Sequence, residues 1–157
     1  MSNTIKKITS FTVDHRYIVP GIYVSRIDGD ITTYDLRTRR PNCGELMDNS
    51  TMHSFEHMFA TYVRNSEAGD RVIYFGPMGC QTGFYLLMRD TANEETLALV
   101  LLVLKNIVAH EGDMFGASEI ECGNYRNLSV EAAKEEAKKY LAVLEASENN
   151  FRYGEKK

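Results

Sequence analysis

The feature that most constrains this chain is His53-Ser54-Phe55-Glu56-His57, set inside a stretch that is apolar at helical spacing. Met52, Phe55, Phe59 and Tyr62/Val63 recur every three or four residues, so they form one stripe of a helix facing a core. The pattern predicts a helix from about Asn49, with Asn49, Ser50 and Thr51 as cap candidates, to about Asn65. His53 and His57 are four apart and therefore lie on one face, where both imidazoles can reach a single cation. Glu56 is three positions after His53, beside that face. A carboxylate there can act as a base without being a ligand.

The rest of the chain must build a core for that helix. Tyr17 to Ile27 and Ile31 to Leu36 read as strands, with Asp28-Gly29-Asp30 as the turn between them. Arg71 to Phe75 and Thr82 to Met88 read as two more strands. Gly76-Pro77-Met78-Gly79 between them reads as a loop, since proline lacks a ladder donor. Thr91 to His110 predicts a buried helix capped near Thr91 or Asn93. Val130 to Ala146 predicts an amphipathic helix capped by Ser129, with acidic residues near its N-terminal turns. Glu119 to Arg126 is a loop, and Ser147 to Lys157 looks loosely structured. Strands and helices do not alternate strictly. The expected fold class is α+β, a mostly antiparallel sheet with helices packed against it, as one domain over residues 1–157.

The net charge of −4 lacks the basic face that phosphate neutralisation needs, which argues against nucleic-acid partners and anionic membranes. The longest apolar run, Leu97 to Leu104, is too short to span a bilayer. No apolar segment follows Lys6 and Lys7 as in a secretory signal. Cys43, Cys80 and Cys122 are odd in number and widely spaced, a poor disulfide framework suited to a reducing compartment. A cytoplasmic location is expected.

Two histidines leave a catalytic metal short of a third protein ligand. The residues alone leave that ligand open among Cys122, Cys80, Cys43, Glu119, Glu121, His15 and His110. Cys80 follows the glycine-rich turn Gly76-Pro77-Met78-Gly79. It reads equally as an acid/base or nucleophile and as an ordinary turn cysteine. Arg37, Arg39 and Arg40 form a basic cluster, either a solvated strand end or a contact for substrate oxygens.

Taken together, three segments resemble the signatures of the S-ribosylhomocysteine lyase (LuxS) family. They are His53-Ser54-Phe55-Glu56-His57-Met58-Phe59-Ala60, Gly76-Pro77-Met78-Gly79-Cys80-Gln81-Thr82-Gly83-Phe84-Tyr85 and Glu121-Cys122-Gly123-Asn124. Ser10 to His15, Tyr34-Asp35-Leu36-Arg37 and Pro41-Asn42 are similar to further family segments. The resemblance implies one divalent metal per subunit held by His53, His57 and Cys122. Ferrous iron is the family's frequent native metal, with zinc or cobalt able to stand in. It implies Cys80 and Glu56 as acid/base groups, with Ser10, His15 and Arg37 as substrate contacts. The implied protein is a homodimer with active sites at the subunit interface. The implied reaction cleaves S-ribosylhomocysteine to homocysteine and 4,5-dihydroxy-2,3-pentanedione, the precursor of the quorum-sensing signal autoinducer-2. The chain departs from the family pattern at Tyr74, where many members carry aspartate, and at Gly76, where serine is usual.

Two other readings compete. His-x-x-Glu-His is also the inverted zinc-protease motif, which would need Glu119 or Glu121 as third ligand and would leave Cys80 idle. A non-enzymatic metal-binding module would close every coordination position.

Overall fold

A computed structural model describes residues 4–154. The strands are β1 (Gly21–Asp28), β2 (Ile31–Arg37), β3 (Val72–Pro77) and β4 (Gly83–Arg89). The helices are α1 (Asn49–Arg64), α2 (Asn93–Val108) and α3 (Val130–Ala146). All strand pairs are antiparallel, in the order β1-β2-β4-β3. The two hairpins join through β2 and β4, which places Tyr34 opposite Leu86 and Leu36 opposite Phe84. The expected α+β class, helices against an antiparallel sheet, is the observed one.

Alternation along the strands splits the sheet into two faces. Ile22, Tyr34, Leu36, Phe84, Leu86 and Met88 are buried beneath the helices. Phe55, Met58 and Phe59 of α1 reach down to them. Ring centroids lie 4.8 Å apart for Phe55 and Phe84 and 4.2 Å for Phe59 and Phe75. Each such ring removed from water contributes about 1.5–3 kcal/mol, which anchors one stripe of α1 and leaves the histidine stripe free for another task. The opposite sheet face carries Thr33, Asp35, Arg37, Tyr74, Tyr85 and Leu87. The N-terminal residues Ile8, Thr9 and Ser10 lie against part of it.

Four local expectations need correction. β3 runs through Gly76 and Pro77, with Pro77 paired to Phe84. An edge strand tolerates proline because one side of its backbone needs no ladder donor. The first helix is capped by Asp48, whose Oδ1 accepts the Thr51 N–H at 2.7 Å. α2 starts at Asn93 with Ala92 at the cap position, which has no side chain to accept a helix N–H, and the Asn93 Oδ1 accepts the Tyr34 hydroxyl; Glu94 and Glu95 complement the helix end by charge. The C-terminal segment is not loose as far as Gly154. Phe151 is buried, its carbonyl accepts the Val24 N–H at 2.8 Å, and its ring meets Tyr34 edge-on.

The basic cluster separates by role. Arg39 binds Glu136 of α3 through two hydrogen bonds, of 2.6 and 2.7 Å, and Glu136 is only 2% exposed. That pair ties the end of β2 to α3. Ser129, the expected cap of α3, accepts the Ala132 N–H, and its own N–H donates to Ser54 of α1 at 2.8 Å. Among the described residues no helix is long and apolar enough to cross a membrane.

Candidate metal centre and cysteine pocket

His53, His57 and Cys122 converge. One donor atom from each lies within 4.8 Å of the others, and Cys122 Sγ is 3.3 Å from His53 Nε2. Donors bound tetrahedrally at about 2.0–2.3 Å from one ion stand roughly 3.3–3.6 Å apart, so the group suits a divalent cation with little adjustment. Two imidazoles and a thiolate are a borderline-soft set compatible with iron, zinc or cobalt. Three protein ligands leave a coordination position for water or substrate.

The histidines are aimed by partners that hold their far nitrogens. The Phe115 carbonyl accepts from His57 Nδ1 at 2.8 Å, and Asn127 Oδ1 accepts from His53 Nδ1. Both tautomers are thereby set with Nε2 bare and facing the centre. Asn127 is itself oriented, since its Nδ2 donates to Asn49 Oδ1 and its carbonyl accepts from Ser50 Oγ at 2.6 Å. Gly116 follows Phe115 at φ +64° and lies against His57. A Cβ there would stand 3.2 Å from Nδ1 and 3.3 Å from Cε1. Asn49, Phe115, Gly116 and Asn127 escaped sequence reasoning. Only Gly116 carried a signal, as a glycine after an aromatic residue in the stretch leading to Cys122.

Glu56 is half-buried and shares a cavity of about 280 Å³ with His57, Ala60, Thr61, Phe115 and Gly116. The other ligand candidates lie elsewhere or serve otherwise. Glu119 and Glu121 are exposed, and Glu121 accepts from the Ser118 hydroxyl at 2.8 Å. His110 is a satisfied core histidine, bonded to the Tyr62 hydroxyl at 2.7 Å and the Asp113 carbonyl at 3.0 Å. Neither Glu119 nor Glu121 is among the converging groups; Cys122 is the third residue that converges with the two histidines.

Cys80 sits in a second cavity, about 410 Å³, with His15, Pro41, Asn42, Gly44, Leu46 and Thr82. Its loop is pinned on both sides. Met47 and Gln81 exchange backbone and side-chain hydrogen bonds, and the Thr82 carbonyl accepts from the Thr38 and Arg39 N–H groups. The thiol is exposed, 3.0 Å from Thr82 Oγ1 and 4.0 Å from Arg37 Nη1. Arg37 is buried against Asp35 on the sheet face away from α1. So His15, Arg37 and Cys80 are brought together. Ser10 lines a different cavity with Tyr74 and Tyr85. Among the described residues none lines both the Glu56 cavity and the Cys80 cavity.

The family model described as S-Ribosylhomocysteinase (LuxS) matches residues 8–151. The chain belongs to this family. It is 43% identical over 156 residues to the S-ribosylhomocysteine lyase of Borreliella burgdorferi, covering 95% of this chain and 99% of that protein. It is 42% identical over 157 residues to the lyase of Clostridium beijerinckii and 43% over 157 residues to that of Desulfotalea psychrophila, with the same coverage in each. Tyr74 and Gly76 share a face of β3, and the Tyr74 phenol lies over Gly76, so a side chain at 76 would oblige the exposed Tyr74 ring to turn aside.

Proposed function

We propose that this chain is a metal-dependent carbon–sulfur lyase. It cleaves S-ribosylhomocysteine to homocysteine and 4,5-dihydroxy-2,3-pentanedione, the precursor of autoinducer-2, and acts as a single domain over residues 1–157. The observation that carries the reading is the three-donor site of His53, His57 and Cys122, which leaves room for substrate. It occurs in a chain whose full-length relatives bear that activity in their names.

The sulfur sits on C5 of the ribose, while the carbonyl begins at C1. Elimination requires a carbonyl at C3, which makes the C4 proton acidic and puts the C5–S bond β to it. The carbonyl must therefore move twice, each time by loss of a proton from one carbon and its return to the neighbour. A divalent cation held by His53, His57 and Cys122, ferrous iron first and zinc or cobalt as substitutes, would supply Lewis acidity toward a sugar oxygen. Proton transfer falls to Cys80 Sγ and the Glu56 carboxylate. One takes the C2 proton and returns it to C1, then takes the C3 proton and returns it to C2, and so is free again after each shift; the other moves the hydroxyl protons between the neighbouring oxygens. The freed base then takes the C4 proton, which expels homocysteine sulfur, and that sulfur is protonated as it leaves. His15, Arg37 and Ser10 bind the sugar and amino-acid oxygens, Arg37 by charge-assisted hydrogen bonds.

Glu56 with His57, and Cys80 with His15, line separate cavities of one chain. That separation supports a homodimer in which facing subunits each lend half of an active site. The sheet face away from the helices, flanked by exposed Ile8, Phe11 and Tyr74, is the surface to be covered. Three free cysteines, including a ligand and a proton carrier, suit the reducing cytoplasm. The test is anaerobic incubation of the iron- or cobalt-loaded protein with S-ribosylhomocysteine, following free thiol. Homocysteine release supports the reading; none from a fully metallated, reduced protein overturns it.

A further inference from the structure

We infer that Tyr153, at the C-terminal end of the described chain, is a positioning residue for the Cys80 pocket, acting through Asp35 and Arg37. Tyr153 donates its hydroxyl to Asp35 Oδ2 at 2.7 Å across 118 residues of sequence. Asp35 is fully buried and takes Arg37 in a bidentate grip, Nε to Oδ1 at 3.1 Å and Nη2 to Oδ2 at 2.6 Å. The remaining arm, Nη1, donates to Thr82 Oγ1 at 2.8 Å and points at Cys80 Sγ, 4.0 Å away.

The bidentate pair is restrained at its guanidinium end by the Thr82 hydroxyl, and the Tyr153 hydroxyl adds the restraint at its carboxylate end. With Oδ2 shared between Arg37 and Tyr153, the carboxylate plane is set, and so is the direction of Nη1. Tyr153 is itself well held. Its ring stacks on Tyr23 at 4.9 Å, and the preceding Phe151 is anchored between Val24 and Tyr34. Burial, then the Asp35 charge, keep the phenol protonated and therefore a donor across the working range of pH. The C-terminal segment is thus built into the cysteine pocket as well as into the core. The inference rests on the lyase reading only for the use that Arg37 serves.

The experiment alkylates Cys80 in the metal-loaded protein carrying Cys43→Ser, with the modified peptide identified by mass spectrometry. It compares iodoacetate, an anion, with neutral iodoacetamide. A guanidinium held beside the thiol favours the anion, so the rate ratio reports where Arg37 points. Tyr153→Phe keeps the ring stack and removes only the hydroxyl. Its ratio is expected to fall roughly fivefold, the order expected when one charge moves a few ångström at an effective dielectric near 20. An unchanged ratio, or an equal loss of both rates, overturns the inference. Thiol release from S-ribosylhomocysteine is read separately. A fall in the ratio in a protein that releases no thiol overturns the lyase reading and leaves the positioning role standing.

Discussion

Gly116→Ala should weaken metal binding without the new methyl touching the metal. Residue 116 sits at φ +64°, where a non-glycine residue costs about 1–2 kcal/mol. The methyl would also press on His57 at 3.2–3.3 Å, tighter than ordinary van der Waals contact. That ring cannot yield freely. Its Nδ1 is bonded to the Phe115 carbonyl, next to the substituted residue, which leaves Nε2 as the atom that would bind a metal. A shift of a few tenths of an ångström misaligns the ligand, and disturbed support of this kind lowers metal affinity about tenfold. The metal-free variant should melt about 2–8 °C below the parent from the backbone cost alone. Gly112→Ala is the control. Its φ of +103° also disfavours a side chain, but nothing lies within 4 Å of the new methyl. Competition for cobalt or zinc against a chromophoric chelator separates the two. Gly116→Ala binding as tightly as the parent, or Gly112→Ala losing as much affinity, would refute the argument.

Other outcomes follow from the same geometry. Asn127→Ala strips the acceptor from His53 Nδ1 and should cost about ten- to a hundredfold in metal affinity, whereas Asn127→Asp, which keeps an acceptor, should lose much less in the same competition. Arg39→Ala leaves the buried Glu136 carboxylate unpaired and should cost about 3 kcal/mol in urea unfolding, the low end for such a break because Arg39 is 18% exposed; Arg39→Leu with Glu136→Leu should recover most of it, and a single-variant loss under 1 kcal/mol would contradict this. Asp48→Ala should destabilise α1 by about 1 kcal/mol at neutral pH. Because the Thr51 N–H holds the Asp48 carboxylate below its ordinary range, that stability is present above the aspartate range and lost as pH falls through the lowered value; melting curves of variant and parent should converge in acid.

Much of the centre was legible because its chemistry is local in sequence. Two histidines four apart on an amphipathic helix lie on one face by periodicity alone, and Phe55 and Phe59 announce which face is buried. The element order and the antiparallel sheet followed from alternation and turn residues. What escaped was whatever depends on long-range packing. Asn127 reaches His53 across 74 residues, and Tyr153 reaches Asp35 across 118. No spacing rule connects such positions. The polar C-terminal segment read as loose because a single buried phenylalanine gives no periodic signal. Gly76-Pro77 read as a loop because edge position, which licenses proline in a strand, belongs to the sheet order and not to the local sequence. Arg39 and Arg37 look alike in sequence; only the sheet tells that one staples α3 and the other faces Cys80.

The central claim is that metal held by His53, His57 and Cys122 and a proton carrier at Cys80 together break a thioether. The most direct measurement is homocysteine release by Cys80→Ala beside the parent, anaerobically, with the metal content of both determined. Cys80 is no part of the converging donor group, so the variant should keep its metal in full while thiol release disappears. Release at the parental rate from the metallated variant would contradict the account.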